Sequence, residues 1–243
     1  MPPYIVNNEL SHYVRLLNAN IPFSMARYFD GEWNIITGRR GFPNRTGGGH
    51  LYYPQLANDL KQSVLNPHSS EQFYYGTWMN IAKPHFSRQF CLDNNIPITW
   101  YDGYIFHQAL MEGKLFPLID AMRRKEIVFI GPPSLREVEK CLFPCKHYVE
   151  IIERDCYVQK KFMIKEGIKY ATKNCVIAVH ASLGGKVIVY ELFKHLKETC
   201  FIIDFGSIWN PFCEDSRMRG WWRKTMDNDM GKFYQLLKMN LGL

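Results

Sequence analysis

Residues 175–206 read CVIAVHASLGGKVIVYELFKHLKETCFIIDFG. Two short apolar runs, Cys175 to Val179 and Cys200 to Gly206, enclose a stretch whose residues from Val187 to Leu196 suit a helix. Neither run alternates apolar with polar residues, so each reads as a strand buried on both faces, as central parallel strands are. Strand, helix and strand in succession form a β–α–β unit, and such units build a mostly parallel sheet covered by helices.

The same alternation extends outward from this unit. Glu126 to Gly131 (EIVFIG) and Tyr148 to Ile152 (YVEII) read as further strands, with helices from Leu135 to Leu142 and around Tyr157 to Tyr170. It begins near Phe73, and no repeat or low-complexity linker interrupts it. Upstream, Phe23 to Phe29 reads as a strand and DGEWNIITG as a helix with Asp30 at or near its cap. Pro54 suits the first turn of a helix carrying Leu56, Leu60 and Val64 on one face. Asp102 caps a helix with Ile105, Phe106, Ala109 and Leu110, ended by Gly113. The expectation for all 243 residues is one α/β domain, with a small helical segment appended from about Trp221.

Hydrophobic residues make up 47% of the chain and charged ones 22%, which argues against general disorder. The longest apolar stretches fall short of the roughly 20 residues a membrane-spanning helix needs. MPPYIVNNELSHYVRLL has neither the basic flank nor the apolar centre of a secretory signal. Seven scattered cysteines fit reduced thiols in a cytoplasmic protein. Cys141, Cys145 and His147 are spaced like zinc ligands, but no second paired cluster completes a site, so they read as buried thiols. The formal charge of +7 suits nucleic acid, an anionic membrane or phosphorylated small molecules. No nucleic-acid module is recognisable, and the basic residues are mostly mixed with acidic ones. The exception is RMRGWWRK, Arg217 to Lys224, where four cations surround two tryptophans, as at a contact with an acidic partner or a peripheral membrane surface, or as a packed Trp pair with solvated charges.

In FSMARYFDGEW, Phe23 to Trp33, Asp30 and Glu32 stand either side of a glycine at a strand end. Spacing alone reads them as a helix cap and a first-turn acid suited to the helix dipole. Two such carboxylates also bind a hard divalent ion through oxygen while leaving positions for phosphate and water. Arg27 either pairs with one of them or reaches a phosphate. Ser182, Gly184, Gly185 and Lys186 lie between a strand and a helix, where backbone N–H groups favour phosphate and Lys186 adds charge. The full G-x-G-x-x-G spacing is missing, so a dinucleotide site is not indicated. Gly131 in FIGPPS ends another strand, where open α/β sheets gather ligands, although its two prolines also simply set a turn.

The run FSMARYFDGEWNIITG resembles the N-terminal signature of the GT-D glycosyltransferases, whose first strand leads into an aspartate-x-glutamate metal motif. GGGHLYYPQLANDLKQSVL is similar to that family's next segment. KEIVFIGPPSL and VIAVHASLGGKVIVYEL with IIDFGSIWNP are similar, in order and position, to its two C-terminal β–α units. The resemblance runs from Phe23 to about Arg219. It implies a Rossmann-like α/β domain that moves a sugar from a UDP- or GDP-sugar donor to a hydroxyl of a glycan or glycoprotein acceptor, with Mn²⁺ or Mg²⁺. It further implies Asp30 and Glu32 as ligands of the metal and diphosphate, and Arg27, Gly131, Ser182, Gly184, Gly185 and Lys186 as donor contacts. Arg217 and Arg219 are candidates to meet the departing diphosphate. For the base that takes the acceptor's proton, Asp204, Asp215 and His180 all lie near strand ends, and none is singled out. Two other readings stay open: a non-catalytic binding module with a basic aromatic surface, and a nucleotide-sugar hydrolase.

Overall fold

The structure, a computed structural model, describes residues 5–38, 54–78, 85–213 and 230–243. Its strands are β1 Ile5–Val6, β2 Ser24–Arg27, β3 Phe73–Thr77, β4 Trp100–Asp102, β5 Ile127–Gly131, β6 His147–Glu150, β7 Val176–Val179 and β8 Phe201–Asp204. They form one sheet in the order β1-β4-β3-β2-β8-β7-β5-β6, and every neighbouring pair is parallel. The helices, in chain order, are α1 Leu10–Asn18, α2 Asp30–Ile36, α3 Pro54–Leu65, α4 His85–Asp93, α5 Ile105–Met111, α6 Phe116–Arg123, α7 Val138–Cys141, α8 Lys160–Tyr170, α9 Gly185–Leu196 and α10 Met230–Leu241.

The uninterrupted apolar character of the strands follows from burial on both faces. Ile127 and Phe129 face one core with Val176, Ala178, Phe201 and Ile203, beneath α1, α5 and α6. Val128 and Ile130 face the other with Ile177, Val179 and Ile202, beneath α2, α3, α8 and α9. Helix α9 is buried almost all round, which explains why KVIVYELF shows so little polar periodicity.

The differences from expectation are local. The expected helix from Leu135 to Leu142 divides into a 3₁₀ turn, Pro133–Leu135, and the single turn α7. Short β1 and β4 and helices α1, α4 and α6 join the expected elements. At the C-terminus the described residues form helix α10, while the expected start of a helical segment near Trp221, and Trp222, lie outside the described residues. That helix is tied in by Asn240, fully buried, whose Oδ1 accepts the Leu115 N–H at 2.8 Å and whose Nδ2 donates to Leu110 O at 2.9 Å.

Candidate active site

Strand β2 runs straight into α2, and Glu32 closes the junction: its Oε2 accepts the Phe29 N–H at 2.9 Å, half of a capping box. Its Oε1 lies 2.8 Å from Lys186 Nζ. Lys186, in the first turn of α9, also stands 3.3 Å from Asp204 Oδ2 and donates to Ser182 O at 3.1 Å. Asp204, the last residue of β8, accepts the Gly206 N–H on Oδ1 at 3.1 Å. All three charged side chains are buried, with Glu32 3%, Lys186 6% and Asp204 1% exposed. Burial is the largest influence on Lys186 and lowers its pKa, but Asp204 and Glu32 together outweigh it and hold the ammonium above its ordinary value.

Arg27 lies beside this triad, at the point where the β2–β8 ladder ends with the pair Met25 and Ile203. Its Nη1 reaches Gly103 O at 3.3 Å and His107 Nδ1 at 3.2 Å, and its Nε is 3.9 Å from Asp204 Oδ2. The guanidinium lies over Phe29 and Phe106, 5.8 and 5.7 Å from their ring centres. Burial lowers its pKa, opposed by Asp204, Glu32 and Asp102. Gly206 makes the approach possible: it has a φ of +58°, and a Cβ there would fall 2.5 Å from Arg27 Nη2. Its carbonyl accepts a hydrogen bond from His180 Nδ1 at 2.8 Å. The His180 ring stacks on Phe129 at 4.5 Å, and burial lowers its pKa to about 4, so the imidazole is neutral at neutral pH. His180 Nε2, Arg27 Nε and Asp204 Oδ2 are buried polar atoms without a hydrogen bond among the described residues.

Of these residues, Arg27, Glu32, His180, Lys186 and Gly206 form the floor of a cleft of about 440 Å³ at the carboxyl ends of β2, β7 and β8. Arg27, Asp30, Glu32, Ser182 and Lys186 line it, as does His180. Ser182 carries a φ of +48°, a sparsely populated conformation for a residue with a side chain. Asp204 stands behind Lys186 rather than on the wall. Gly131, Gly184 and Gly185 do not line the cleft: a Cβ on them would meet Phe129 at 2.6 Å, Tyr157 at 2.7 Å and Asp204 Oδ1 at 3.2 Å. Their missing side chains serve close packing around the site. Arg217, Arg219 and Asp215 lie outside the described residues.

Sequence reasoning missed Trp78, Tyr104, His107, Ser207 and Asn210, all on the cleft wall. His107 sits in α5 among apolar residues, and its contacts with Arg27, 80 positions away, and Ser207, 100 positions away, mark it. Cys141, Cys145 and His147 do not converge: the two thiols turn to backbone carbonyls and the imidazole stacks on Tyr170.

A divalent ion fits this arrangement through one acid of the pair. Both Glu32 oxygens are already engaged, whereas Asp30 is exposed on the cleft wall with no hydrogen bond or ion pair among the described residues. No group of three His, Cys, Asp or Glu side chains among the described residues is placed to share a metal. One carboxylate with substrate phosphates is nevertheless a usual way of holding Mg²⁺.

No protein-family model and no curated protein matches the chain. Among solved structures, a glycosyltransferase (DUF1792) from Streptococcus sanguinis is similar over 91% of this chain and 85% of its own, with a TM-score of 0.61 and 15% identity. The likeness establishes a shared α/β fold built on a parallel sheet flanked by helices.

Proposed function

We propose that the protein is a glycosyltransferase that holds a UDP- or GDP-sugar in the cleft and passes the sugar to a hydroxyl of a glycan or glycoprotein. One observation carries this reading. In a fold shared with a glycosyltransferase, an open Asp30, two buried cations and the N-terminal turn of α9 meet at the carboxyl ends of adjacent strands. Open parallel sheets bind ligands at that edge, and a helix N-terminus favours phosphate.

Ser182 and Leu183, on the turn into α9, form the wall for the donor diphosphate. Arg27 and Lys186 are fixed by Asp204 and Glu32, so they present oriented positive charge without rearranging during the reaction. Their charges are already matched by those two acids. A diphosphate beside Asp30 therefore requires a further cation, and Asp30 is the residue to hold Mn²⁺ or Mg²⁺ together with phosphate oxygens. When bound, that ion stabilises the negative charge gathering on the leaving diphosphate. Phe29, Trp78 and Tyr104 supply apolar walls against which a sugar ring or base packs. Arg217 and Arg219 remain candidates to meet the leaving diphosphate.

The test is release of nucleoside diphosphate from a panel of UDP- and GDP-sugars with Mn²⁺, with and without glycan acceptors. Release stimulated by an acceptor supports transfer. Release independent of acceptor makes the protein a hydrolase, and no release with any donor makes it a binding module.

A further inference from the structure

Helix α8 carries a line of cations and an apolar side chain on its outer face. At 100° per residue, Lys161, Phe162, Lys165 and Lys169 fall within about 100° of arc. All four are exposed, and Lys173, just past the helix, continues the four-residue spacing. The opposite side of α8 is buried through Met163 and Gly167, the latter against Leu192 of α9, so the orientation of the helix is fixed. Like charges four residues apart disfavour a helix. Of these lysines only Lys169 has an acidic partner among the described residues, Glu166 at 3.1 Å.

Apolar side chains stand at the same face. Phe162 is 43% exposed, and Val158, four residues before it, is 61% exposed. Ile152 is 44% exposed, and its N–H donates at 2.8 Å to Oε1 of Gln159, the residue after Val158. Ile152 also lines the cleft, so the apolar patch begins at the cleft's rim and the lysines lead away from it. Arg154, exposed beside Ile152, adds one more cation.

We propose that this face docks the protein on an anionic lipid bilayer, with Ile152, Val158 and Phe162 set into the boundary between headgroups and acyl chains and the lysines against lipid phosphates. The charge pattern selects this partner. A line of cations beside large apolar side chains matches a surface that is anionic outside and apolar beneath. A nucleic-acid backbone answers the lysines but leaves Val158 and Phe162 without a counterpart. The docking places the cleft's rim at the membrane, where an acceptor carried on a lipid would be presented.

The experiment is co-sedimentation of the full chain with vesicles of phosphatidylcholine alone or with 30% phosphatidylglycerol, at ~50 and ~300 mM NaCl, with no nucleotide or acceptor present. Binding is expected only to the anionic vesicles and falls at the higher salt. Lys161→Gln with Lys165→Gln should weaken it at least ~25-fold, about fivefold for each cation. Val158→Ser with Phe162→Ser should weaken it at least ~10-fold. Because these side chains are exposed, both variants should melt within ~2 °C of the parent. No preference for anionic vesicles overturns the proposal, as does salt-insensitive binding or binding unchanged in both variants. Loss on Arg217→Ala with Arg219→Ala but not in the α8 variants also overturns it, by moving the contact elsewhere. None of these outcomes bears on donor release, so failure here is separable from failure of the transferase reading.

Discussion

Replacing Lys186 with methionine isolates the electrostatics of the cleft floor. The new side chain fills nearly the same volume, so no cavity adds to the effect. What disappears is the ammonium 2.8 Å from Glu32 and 3.3 Å from Asp204, which leaves two buried carboxylates short of a cation. Removing one partner of a buried ion pair costs about 3–5 kcal/mol. For a chain of this length that lowers the melting temperature by roughly 6–20 °C. In the parent, the raised pKa of Lys186 means that its stabilisation is fully present below the unfolded value near ~10.4 and is lost as pH rises through the folded value. The parent therefore keeps this contribution throughout the neutral range. Urea unfolding at pH 7.5 measures the loss, and a second substitution separates its cause from a packing defect: Glu32→Gln added to Lys186→Met should recover part of it. A variant within ~1 kcal/mol of the parent, or one that Glu32→Gln does not rescue, refutes the reasoning.

Three further outcomes are expected. Asp30→Asn should leave the melting temperature unchanged but lower metal-dependent turnover at least ~100-fold, whereas Glu32→Gln should lower the melting temperature; stopped assays beside calorimetry distinguish the two acids. His180, held at about 4, binds fewer protons folded than unfolded, so stability should fall by about 3 kcal/mol as pH drops from 6.5 to 4. His180→Phe, which keeps the stack on Phe129, should flatten that part of the profile; an identical acid limb in parent and variant contradicts the assignment. Gly206→Ala meets both a φ of +58° and a contact of 2.5 Å with Arg27 Nη2, so chemical denaturation should show a loss of at least ~1–3 kcal/mol.

The inner strands were legible because burial on both faces forces a continuous apolar run, and VFIG, VIAV and FIID each carry one. The outer strands obey a weaker constraint. Trp100–Asp102 is three residues long, only partly apolar, and acquires strand geometry by pairing with β3. Helix α6 escaped notice for a related reason. Its eight residues gain their definition from Leu118, Ile119 and Met122 packing beneath the sheet, a contact with no local signature. Where tertiary pairing supplies the stability, propensity has little to report.

The site was readable only where its residues are neighbours in the chain. Asp30 and Glu32 were seen together, yet their chemistry is separated by residues far away. Helix α9 delivers Lys186 to Glu32 across more than 150 positions and leaves Asp30 facing the cleft, so an apparent pair becomes one structural acid and one open one. The same convergence selects Gly206 and His107, which matter because Arg27 must find partners once β2 carries it into the interior. A buried guanidinium without such partners would be prohibitively costly. The ends of β2, β7 and β8 are therefore bound into one unit, in which Asp204 and Glu32 hold the cations and the cations hold the strand ends. That coupling makes the Lys186 variant a test of site geometry as well as stability: loosening one ammonium should disturb all three strand ends that form the cleft floor.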